Sequence, residues 1–476
     1  MKPPEVFDRE QEWSDLERFL ADPSPGLHLG IVSGRRRVGK SYLLRRLART
    51  GIYHQAIEED RAPALRRVAE LVAIRRGLPS GTVAFDDWLP TFDALLGPYP
   101  GSDRPSVVVI DELPYLVARS PELLSVLQRA VDERVDGPPQ ALVLCGSALA
   151  VMTSLLSGSQ PLRGRARLDL RMEPFDFRVA RKFWGVPDAA TAFAVHAIIG
   201  GAAGYFDLVG RRVPRRSSEL AEFLADTVLN PSHALYREDE FLLREDPRLQ
   251  DRALYQSILS AVAAGERTPA RIAARLGRDR TSLSALLSQL VEAGFLHREV
   301  DVANSRGVQY LVADPMLRFD RLIVAPNRAD LDERRPGEVW QRCAPTWQSQ
   351  ILGPHAEEVA RTWLHRYADE ETTGGRPARI GRRVLSDRSG RTTLELDAVG
   401  LDERGAALFV AEVKGGTAAR TTDDITRLER ARTILGAEGA KLLLIALGGF
   451  DRSLRALARR RGDVELVDVE RLYGGG

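Results

Sequence analysis

One glycine-rich segment near the N-terminus constrains the fold more than any other feature of this sequence. The apolar run at residues 27–32 is followed by GRRRVGKS at residues 34–41, and residues 42–49 then carry leucines on one helical face. A strand that ends in G-x-x-x-x-G-K-S and leads into a helix is the context in which this motif binds phosphates. Its glycines let backbone N–H groups approach phosphate oxygens, and the helix N-terminus favours anions. We therefore predict an ATP site formed by Gly34, Arg35, Arg36, Arg37, Val38, Gly39, Lys40, Ser41 and Tyr42.

The last two residues of the motif have distinct expected roles. Lys40 is expected to contact the β- and γ-phosphates, and the hydroxyl of Ser41 is expected to ligate Mg²⁺. The alternative is a chance glycine turn before a helix, but the flanking strand and helix favour the phosphate site.

A second apolar run, at residues 107–110, ends in Asp111 and Glu112. Because a buried parallel strand presents carboxylates at its C-terminal edge, Asp111 is expected to hold the Mg²⁺ shell and Glu112 to polarise the attacking water. A third apolar run, at residues 141–145, leads to Ser147, which either senses the γ-phosphate or caps the next helix. The three segments together predict an NTP-hydrolysing site.

These segments resemble the prokaryotic "archaeal ATPase" family, which belongs to the STAND branch of the AAA+ ATPases. The resemblance rests on GRRRVGKS, on FDRE at residues 7–10, on VVVIDE at residues 107–112, and on Ser147 followed by PLRGR at residues 161–165. It implies a regulatory or switching ATPase. The family's helical lid carries G-G-x-P-x-Y near the nucleotide, whereas this chain has Ala203 in place of the proline. Arg163 and Arg165 in PLRGR either reach a phosphate or lie on the solvated surface.

Composition limits the remaining classes of function. A chain of 476 residues is too long for a single core, so two to four domains are expected. The net charge is only +2, and any nucleic-acid contact must therefore come from local basic patches. We find no run of eighteen or more apolar residues, which predicts no membrane span. The two cysteines suit a reducing compartment, so we expect a cytoplasmic protein.

The middle of the chain has the pattern of a winged helix-turn-helix. One helix is predicted from about residue 252, a second opens at Thr268 and ends at Gly277, and a third closes at Gly294, before a hairpin around residues 304–307. Such a domain either reads DNA with its third helix or serves as a structural module packed on the ATPase. The residues expected to contact DNA are Arg278, Arg280, Thr281, Ser282, Ser284 and Arg306.

The resemblance to the same family continues after the winged helix. DPMLRF at residues 314–319 is similar to the Asp-Pro-x-Leu-Arg-Phe stretch of the family, although Asp320 stands where the family usually has a tryptophan. Residues 325–336, APNRADLDERRP, are then predicted to form a polar linker.

The C-terminal part carries a second set of acidic residues. Residues 394–399 and 407–414 alternate as strands joined by a hairpin, which brings Asp397 beside Glu412 and Lys414. Glu357 lies on an amphipathic helix upstream. This arrangement resembles the PD-(D/E)xK nuclease superfamily, which implies that Glu357, Asp397 and Glu412 hold Mg²⁺ and that Lys414 stabilises the attacking hydroxide or the phosphate.

Two other interpretations of this region remain open. The Glu412–Lys414 pair is also compatible with a solvated strand face, and the nuclease fold is compatible with lost cleavage. The basic run Arg376, Arg379, Arg382 and Arg383 either holds a phosphate backbone or belongs to a mobile loop.

The sequence thus predicts an α/β protein with a parallel P-loop sheet, a helical lid, a winged helix and a restriction-endonuclease-like domain. The predicted bounds are 1–185 for the ATPase domain, 186–248 for the lid, 249–324 for the winged helix, 325–340 for the linker and 341–476 for the nuclease-like domain. The leading hypothesis is a Mg²⁺-dependent ATPase switch that controls a nucleic-acid-facing half, with DNA as the favoured partner, RNA not excluded and a homo-oligomer left open. The alternatives are a winged-helix DNA-binding regulator with a silent C-terminal domain and a signalling NTPase whose partners are proteins.

Overall fold

The chain folds into two compact units. The computed structural model describes residues 2–97, 107–158, 160–244, 246, 249, 251–304, 307–387 and 392–476. The first unit comprises Met1–Pro174, Ala202–Gly204 and Arg244–Arg248. The second comprises Phe175–Gly201, Tyr205–Leu243 and Leu249–Gly476.

A parallel sheet forms the centre of the first unit. Its strands in the described residues are β1 (Leu27–Ser33), β2 (Ile52–Gln55), β3 (Val107–Asp111), β4 (Gln140–Gly146) and β5 (Ala166–Arg171). The helices of this unit are α1 (Glu10–Leu20), α2 (Lys40–Leu47), α3 (Arg61–Arg75), α4 (Trp88–Leu95), α5 (Leu113–Arg119), α6 (Leu123–Glu133) and α7 (Leu149–Ser154). Every residue of β1 and β3 is buried, as expected for parallel strands with both faces covered.

The strand order places the predicted site residues at one edge of this sheet. The order is β2-β3-β4-β1-β5, and all neighbouring strands run parallel. Because β4 lies between β1 and β3, the C-terminal ends of the three strands are adjacent. The predicted parallel P-loop sheet is therefore confirmed.

The second unit begins with helices. They are α8 (Phe177–Trp184), α9 (Ala189–Ile199), α10 (Phe206–Val209), α11 (Leu220–Asp226) and α12 (Glu238–Arg244). Of the eleven residues of α9, eight are buried, which accounts for its strongly apolar sequence. No single helix in the described parts of the chain is long and apolar enough to cross a membrane; α9 and Ala203–Val209 reach that composition only together, across a bend of 95°.

The winged helix has the predicted elements. They are α13 (Arg252–Ala263), α14 (Pro269–Leu276), α15 (Arg280–Glu292), β6 (Leu296–Glu299) and β7 (Gln309–Val312). The Thr268 side chain caps α14 as predicted, and Gly277 ends this helix in a left-handed conformation with φ 62°. Ser305 and Arg306, at the predicted tip of the hairpin, lie outside the described residues.

The segment predicted as a polar linker is helical instead. After α16 (Pro315–Phe319) and a π-helical turn at Asp320–Val324, the chain forms α17 (Arg328–Asp332), α18 (Pro336–Arg342) and α19 (Ala344–Thr346). Arg328 of this segment pairs with Asp239 and Asp320, which are both buried. Ion pairs of this kind hold a polar segment against the fold, and polarity alone does not indicate them. The predicted domain boundaries stay a prediction.

A mixed sheet forms the centre of the C-terminal part. Its strands are β8 (Arg379–Asp387), β9 (Thr392–Leu401), β10 (Ala407–Lys414), β11 (Lys441–Ala446) and β12 (Val464–Asp468), in the order β12-β11-β10-β9-β8. The helices are α20 (Gly353–Arg366), α21 (Glu370–Thr373), α22 (Thr422–Leu435), α23 (Arg452–Arg460) and α24 (Val469–Gly474). The pairs β8–β9 and β9–β10 are antiparallel, whereas the pairs β10–β11 and β11–β12 are parallel.

Gly400 gives a test of this sheet. It pairs with Phe409 across β9 and β10, and a Cβ atom at Gly400 would lie 2.1 Å from Cε1 of Phe409. We expect Gly400→Ala to lower the free energy of unfolding by about 1–3 kcal/mol, because the buried ring has to move. The control Gly439→Ala, at an exposed position where a Cβ atom meets nothing within 4 Å, should stay within about 0.5 kcal/mol of wild type in the same urea titration. Equal stabilities of the two variants would contradict the pairing.

Candidate functional site

The phosphate-binding loop lies between β1 and α2. Gly34 has φ 157° and a Cβ atom there would come 2.5 Å from the Met172 carbonyl oxygen, while Gly39 has φ 99°. Arg37 adopts φ 66°, a left-handed conformation that is uncommon for a residue with a side chain. Helix α2 has no side-chain cap at its N-terminus. Its first N–H groups are thus suited to an anion, as the motif predicts.

Lys40 is folded back onto this loop. Its side chain is buried, and Nζ donates to the carbonyl oxygens of Gly34 at 2.7 Å and Arg35 at 2.9 Å. These acceptors are neutral, so a phosphate oxygen would be a stronger partner for the ammonium. The Lys40 ammonium group therefore lies at the loop that is predicted to bind the phosphates.

Asp111 ends β3 in a fully buried position. Its Oδ1 accepts a hydrogen bond from the Glu112 N–H at 3.0 Å, and its Oδ2 accepts one from the Tyr53 hydroxyl of β2. Burial and the hydrogen bond to Asp111 raise the pKa of the Tyr53 phenol. Tyr53 therefore keeps its proton and orients the carboxylate predicted to hold Mg²⁺. Sequence reasoning missed Tyr53, because nothing in the short strand indicates that it pairs with β3.

Glu112 and Ser147 form the third part of this site. Glu112 has φ 56° and ψ 42°, a strained conformation of the kind found at functional sites. Its Oε2 accepts hydrogen bonds from the Ser147 N–H at 3.2 Å and the Ser147 hydroxyl at 3.0 Å. Since α7 has no side-chain cap, Ser147 contacts the predicted catalytic carboxylate rather than capping the next helix.

Two further predicted features lie beside this site. In the stretch predicted as the lid, the Gly204 N–H donates to the Arg37 carbonyl oxygen at 2.7 Å, and a Cβ atom at Gly204 would come 2.9 Å from Arg37 Cβ. The lid glycine thus touches the phosphate-binding loop although Ala203 replaces the proline. Arg163 is exposed and Arg165 pairs with Asp132 at 2.7 Å, which supports the surface interpretation of both arginines.

The C-terminal acidic residues come together as the strand pattern predicts. Asp397 on β9 accepts the Val413 N–H of β10 at 2.7 Å, and Lys414 Nζ lies 2.7 Å from Glu412 Oε1. Burial and the charges of Glu357 and Glu412 raise the pKa of Asp397 to about 7. Glu412 is buried, and its Oε2 has no hydrogen-bond partner among the described residues. The two neighbouring carboxylates therefore affect the pKa of Asp397 more strongly than Lys414 does.

This donor chemistry fits a divalent cation, which carboxylates favour. An unpartnered buried carboxylate oxygen at Glu412 and a raised pKa at Asp397 are what a missing positive charge would produce. Glu357, however, pairs through Oε2 with Arg267 at 3.6 Å. No three His, Cys, Asp or Glu side chains within the described ranges already form a metal-binding group. Glu357 would have to leave Arg267 to join the other two carboxylates.

Three of the four arginines in the basic run near residue 380 lie on a strand. Arg379, Arg382 and Arg383 belong to β8, whereas Arg376 precedes it. Arg382 is buried and lies 2.9 Å from Glu395 Oε1, and Arg383 pairs with Asp301 at 2.6 Å. The loop alternative therefore does not hold for the three strand residues, two of which form ion pairs.

The third helix of the winged helix presents its predicted contact residues to solvent. Arg278, Arg280, Thr281, Ser282 and Ser284 are all exposed. The wing side of the domain is covered, since Asp301 and the Glu299 carboxylate pair with arginines of α20 and β8. The winged helix therefore packs on the C-terminal sheet and leaves its third helix free.

Comparison with protein families identifies the first two parts of the chain. Residues 6–186 match a family described as an ATPase domain predominantly from Archaea. Residues 257–307 match the MarR family. The chain therefore carries an archaeal-type P-loop ATPase domain followed by a MarR-like winged helix, which confirms the resemblance for these regions.

Individual relatives cover most of the chain. An uncharacterized protein of Methanocaldococcus jannaschii, MJECL04, is 26% identical over 413 residues, which are 86% of this chain and 87% of that protein. The Walker-type ATPase PABY2304 of Pyrococcus abyssi is 21% identical with a TM-score of 0.49, over 67% of this chain and 97% of that one. The ORC2 protein of Aeropyrum pernix is 14% identical with a TM-score of 0.44, over 71% of this chain and 96% of that one.

Asp397 yields a pH-dependent prediction. Its pKa is higher in the folded protein, about 7 against an ordinary 3.8, so folding disfavours its ionised form and this loss of stability grows as pH rises from about 4 to 7. We expect Asp397→Asn to stabilise the metal-free protein by about 2 kcal/mol above pH 7 and by little at pH 4. Thermal unfolding across this pH range measures the difference.

Metal addition supplies the second half of the test. At pH 8, Mg²⁺ or Mn²⁺ should raise the melting temperature of the wild type more than that of Asp397→Asn, because the variant lacks one ligand charge. Glu403→Gln, at an exposed acidic residue in the β9–β10 turn, is the matched control and should behave as wild type. A destabilised Asp397→Asn at every pH would contradict the like-charge cluster.

Proposed function

We propose that this protein is a Mg²⁺-dependent ATPase switch of the STAND/AAA+ type whose nucleotide state controls a nucleic-acid-facing C-terminal half. The observation that carries the proposal is the meeting of Lys40, Asp111 and the Glu112–Ser147 pair at one edge of the first sheet. P-loop hydrolysis requires an ammonium group near the phosphates, a carboxylate near the metal and a glutamate that orients water, and these three residues supply those groups. The match of residues 6–186 to an ATPase family supports the same activity.

Each residue has a defined part in the proposed hydrolysis. Lys40 leaves the carbonyl oxygens of Gly34 and Arg35 to bind the phosphates. Ser41 and Asp111 would hold Mg²⁺, which would supply positive charge next to the phosphates. Glu112 orients the attacking water, and Ser147 fixes the Glu112 carboxylate through two hydrogen bonds. Tyr53 is a positioning residue that fixes Asp111.

The switch would start at Arg37. A phosphate bound by the loop alters the surroundings of Arg37, whose carbonyl oxygen accepts the Gly204 N–H. Residues 202–204 are covalently joined on both sides to the second unit, so a shift of this triplet would be passed along the chain. An order–disorder or hinge response to the γ-phosphate is the usual device in such proteins.

Nucleotide binding and hydrolysis can be separated by two variants. Lys40→Ala should raise the Kd for ATP by at least about 100-fold, a loss of about 2.7 kcal/mol, because a charged phosphate contact is removed. Glu112→Gln should bind ATP as wild type but lower kcat by at least about 100-fold. Calorimetry and phosphate release measure the two effects, with the exposed Arg49→Ala as control. Unchanged ATP affinity in Lys40→Ala would overturn the central proposal.

A metal-dependent nuclease is the second candidate, favoured by the unpartnered Glu412 oxygen beside Asp397 and Lys414. The order of a helix with Glu357, three antiparallel strands, a helix and a parallel strand supports a PD-(D/E)xK-like domain. Glu357, Asp397 and Glu412 would hold the metal, which supplies an activated water, and Lys414 would stabilise charge on the phosphate.

Plasmid incubation distinguishes the candidates. Purified protein with Mg²⁺ or Mn²⁺, with and without ATP, should nick the plasmid, whereas Glu412→Ala and Lys414→Ala should not. The exposed Glu403→Ala should behave as wild type. A mobility shift with intact DNA would favour the winged-helix regulator instead. A protein that binds neither DNA nor RNA would contradict both and favour a protein-directed NTPase.

A further inference from the structure

A cleft of about 310 Å³ lies between the winged helix and the C-terminal sheet, within the second unit. This volume is at the lower end of small-ligand pockets and suits one nucleotide of a strand rather than a duplex. Its lining includes, from the winged helix, Arg267, Thr268 and Arg271, and, from the C-terminal part, Arg382, Asp397 and Arg427. The cleft therefore opens onto Asp397, the centre of the carboxylate cluster.

The winged helix is fixed as a wall of this cleft by backbone pairing. The Val302 N–H donates to the carbonyl oxygen of Arg382, on the edge strand β8, at 2.9 Å. Asp301 is buried, pairs with Arg383 and accepts the Val384 N–H at 2.8 Å. A strand edge covered in this way leaves few backbone groups for other partners. The wall is thus part of the folded unit and not a chance approach of two domains.

The charges across the cleft are incompletely matched. Among the described residues, Nε of Arg382 has no hydrogen-bond partner; its side chain is 5% exposed, and the Glu299 carboxylate lies 3.6 Å away. Glu412 does not line the cleft but adjoins the carboxylate cluster, and its buried Oε2 also has no partner in the described part of the chain. Arg267 lies 3.6 Å from Glu357, and Arg271 is 67% exposed. An anion would give Arg382 Nε a hydrogen-bond acceptor, and a divalent cation would give Glu412 Oε2 a positive partner.

We propose that Arg267 and Arg271 of the winged helix bind a phosphodiester of a single nucleic-acid strand over the Glu357–Asp397–Glu412 carboxylates. The site is composite, and this inference rests on the nucleic-acid half of the proposed function. Arginine suits the role because its planar fork matches phosphate oxygens. Without ligand, Arg267 neutralises Glu357. A cation held by Glu357 would leave the guanidinium of Arg267 free to bind the phosphate.

The competing arrangement is binding by the free third helix of the winged helix. Arg278 and Arg280 are exposed there, and neither lines the cleft. The two arrangements use different arginines of one domain. Single substitutions therefore separate them.

Fluorescence anisotropy of a labelled oligothymidylate, with Ca²⁺ in place of Mg²⁺ to preserve the strand, tests the proposal on the full-length protein. Arg267→Gln and Arg271→Gln should each weaken binding about tenfold and lower the salt dependence by about 0.7 in the logarithmic slope. The matched control Arg275→Gln, at an exposed arginine of the same helix, should bind as wild type. Arg280→Gln should weaken binding less than either cleft variant, and a labelled duplex should bind more weakly than the single strand.

The outcomes separate this proposal from the function on which it rests. Wild-type binding that is lost in Arg280→Gln but kept in Arg271→Gln would overturn the composite cleft and leave the nucleic-acid role intact. Absence of any wild-type binding would overturn both. Should Arg267→Gln fail to fold, as its melting temperature would show, Arg271→Gln decides alone. Arg271 is 67% exposed and pairs with Glu266 at 2.7 Å, so its substitution leaves the Arg267–Glu357 pair in place.

Discussion

Parallel pairing of β1, β4 and β3 is the constraint on which the nucleotide site depends. Parallel strands end at the same edge of a sheet. The phosphate-binding loop, the Asp111–Glu112 pair and Ser147 therefore lie close together although they are far apart in the sequence. Four residues at this edge have positive φ angles, namely Gly34, Arg37, Gly39 and Glu112. Such conformations persist only where surrounding structure holds them, and here the fully buried strands do so.

Asp111 and Asp397, two carboxylates predicted to hold metal ions, have different surroundings. Asp111 accepts hydrogen bonds from the Tyr53 hydroxyl and the Glu112 N–H. At Asp397, burial and the charges of Glu357 and Glu412 raise the pKa, although the Val413 N–H and Lys414 act in the opposite direction. These surroundings disfavour the ionised form of Asp397, which a bound cation would favour.

The winged helix has two separate faces. Its wing is joined to the edge of the C-terminal sheet through Val302 and Asp301, and this junction creates the cleft beside Asp397. Its third helix stays exposed. The same MarR-like module therefore packs on the C-terminal sheet with its wing and exposes its third helix, so its structure is compatible with both roles that the sequence left open.

The sequence by itself determined the elements that depend on local pattern. The glycine spacing of residues 34–41, the β-branched run before Asp111, the capped helix at Thr268 and the alternation around Glu412 were all predictable, because period and turn chemistry act over a few residues. Only the tertiary structure decided the rest. Four contacts join residues far apart in the chain: Tyr53 with Asp111, Ser147 with Glu112, Arg267 with Glu357, and Arg328 of the expected linker with Asp239. A single sequence carries no record of such contacts, since polarity alone does not tell a solvated charge from a paired one.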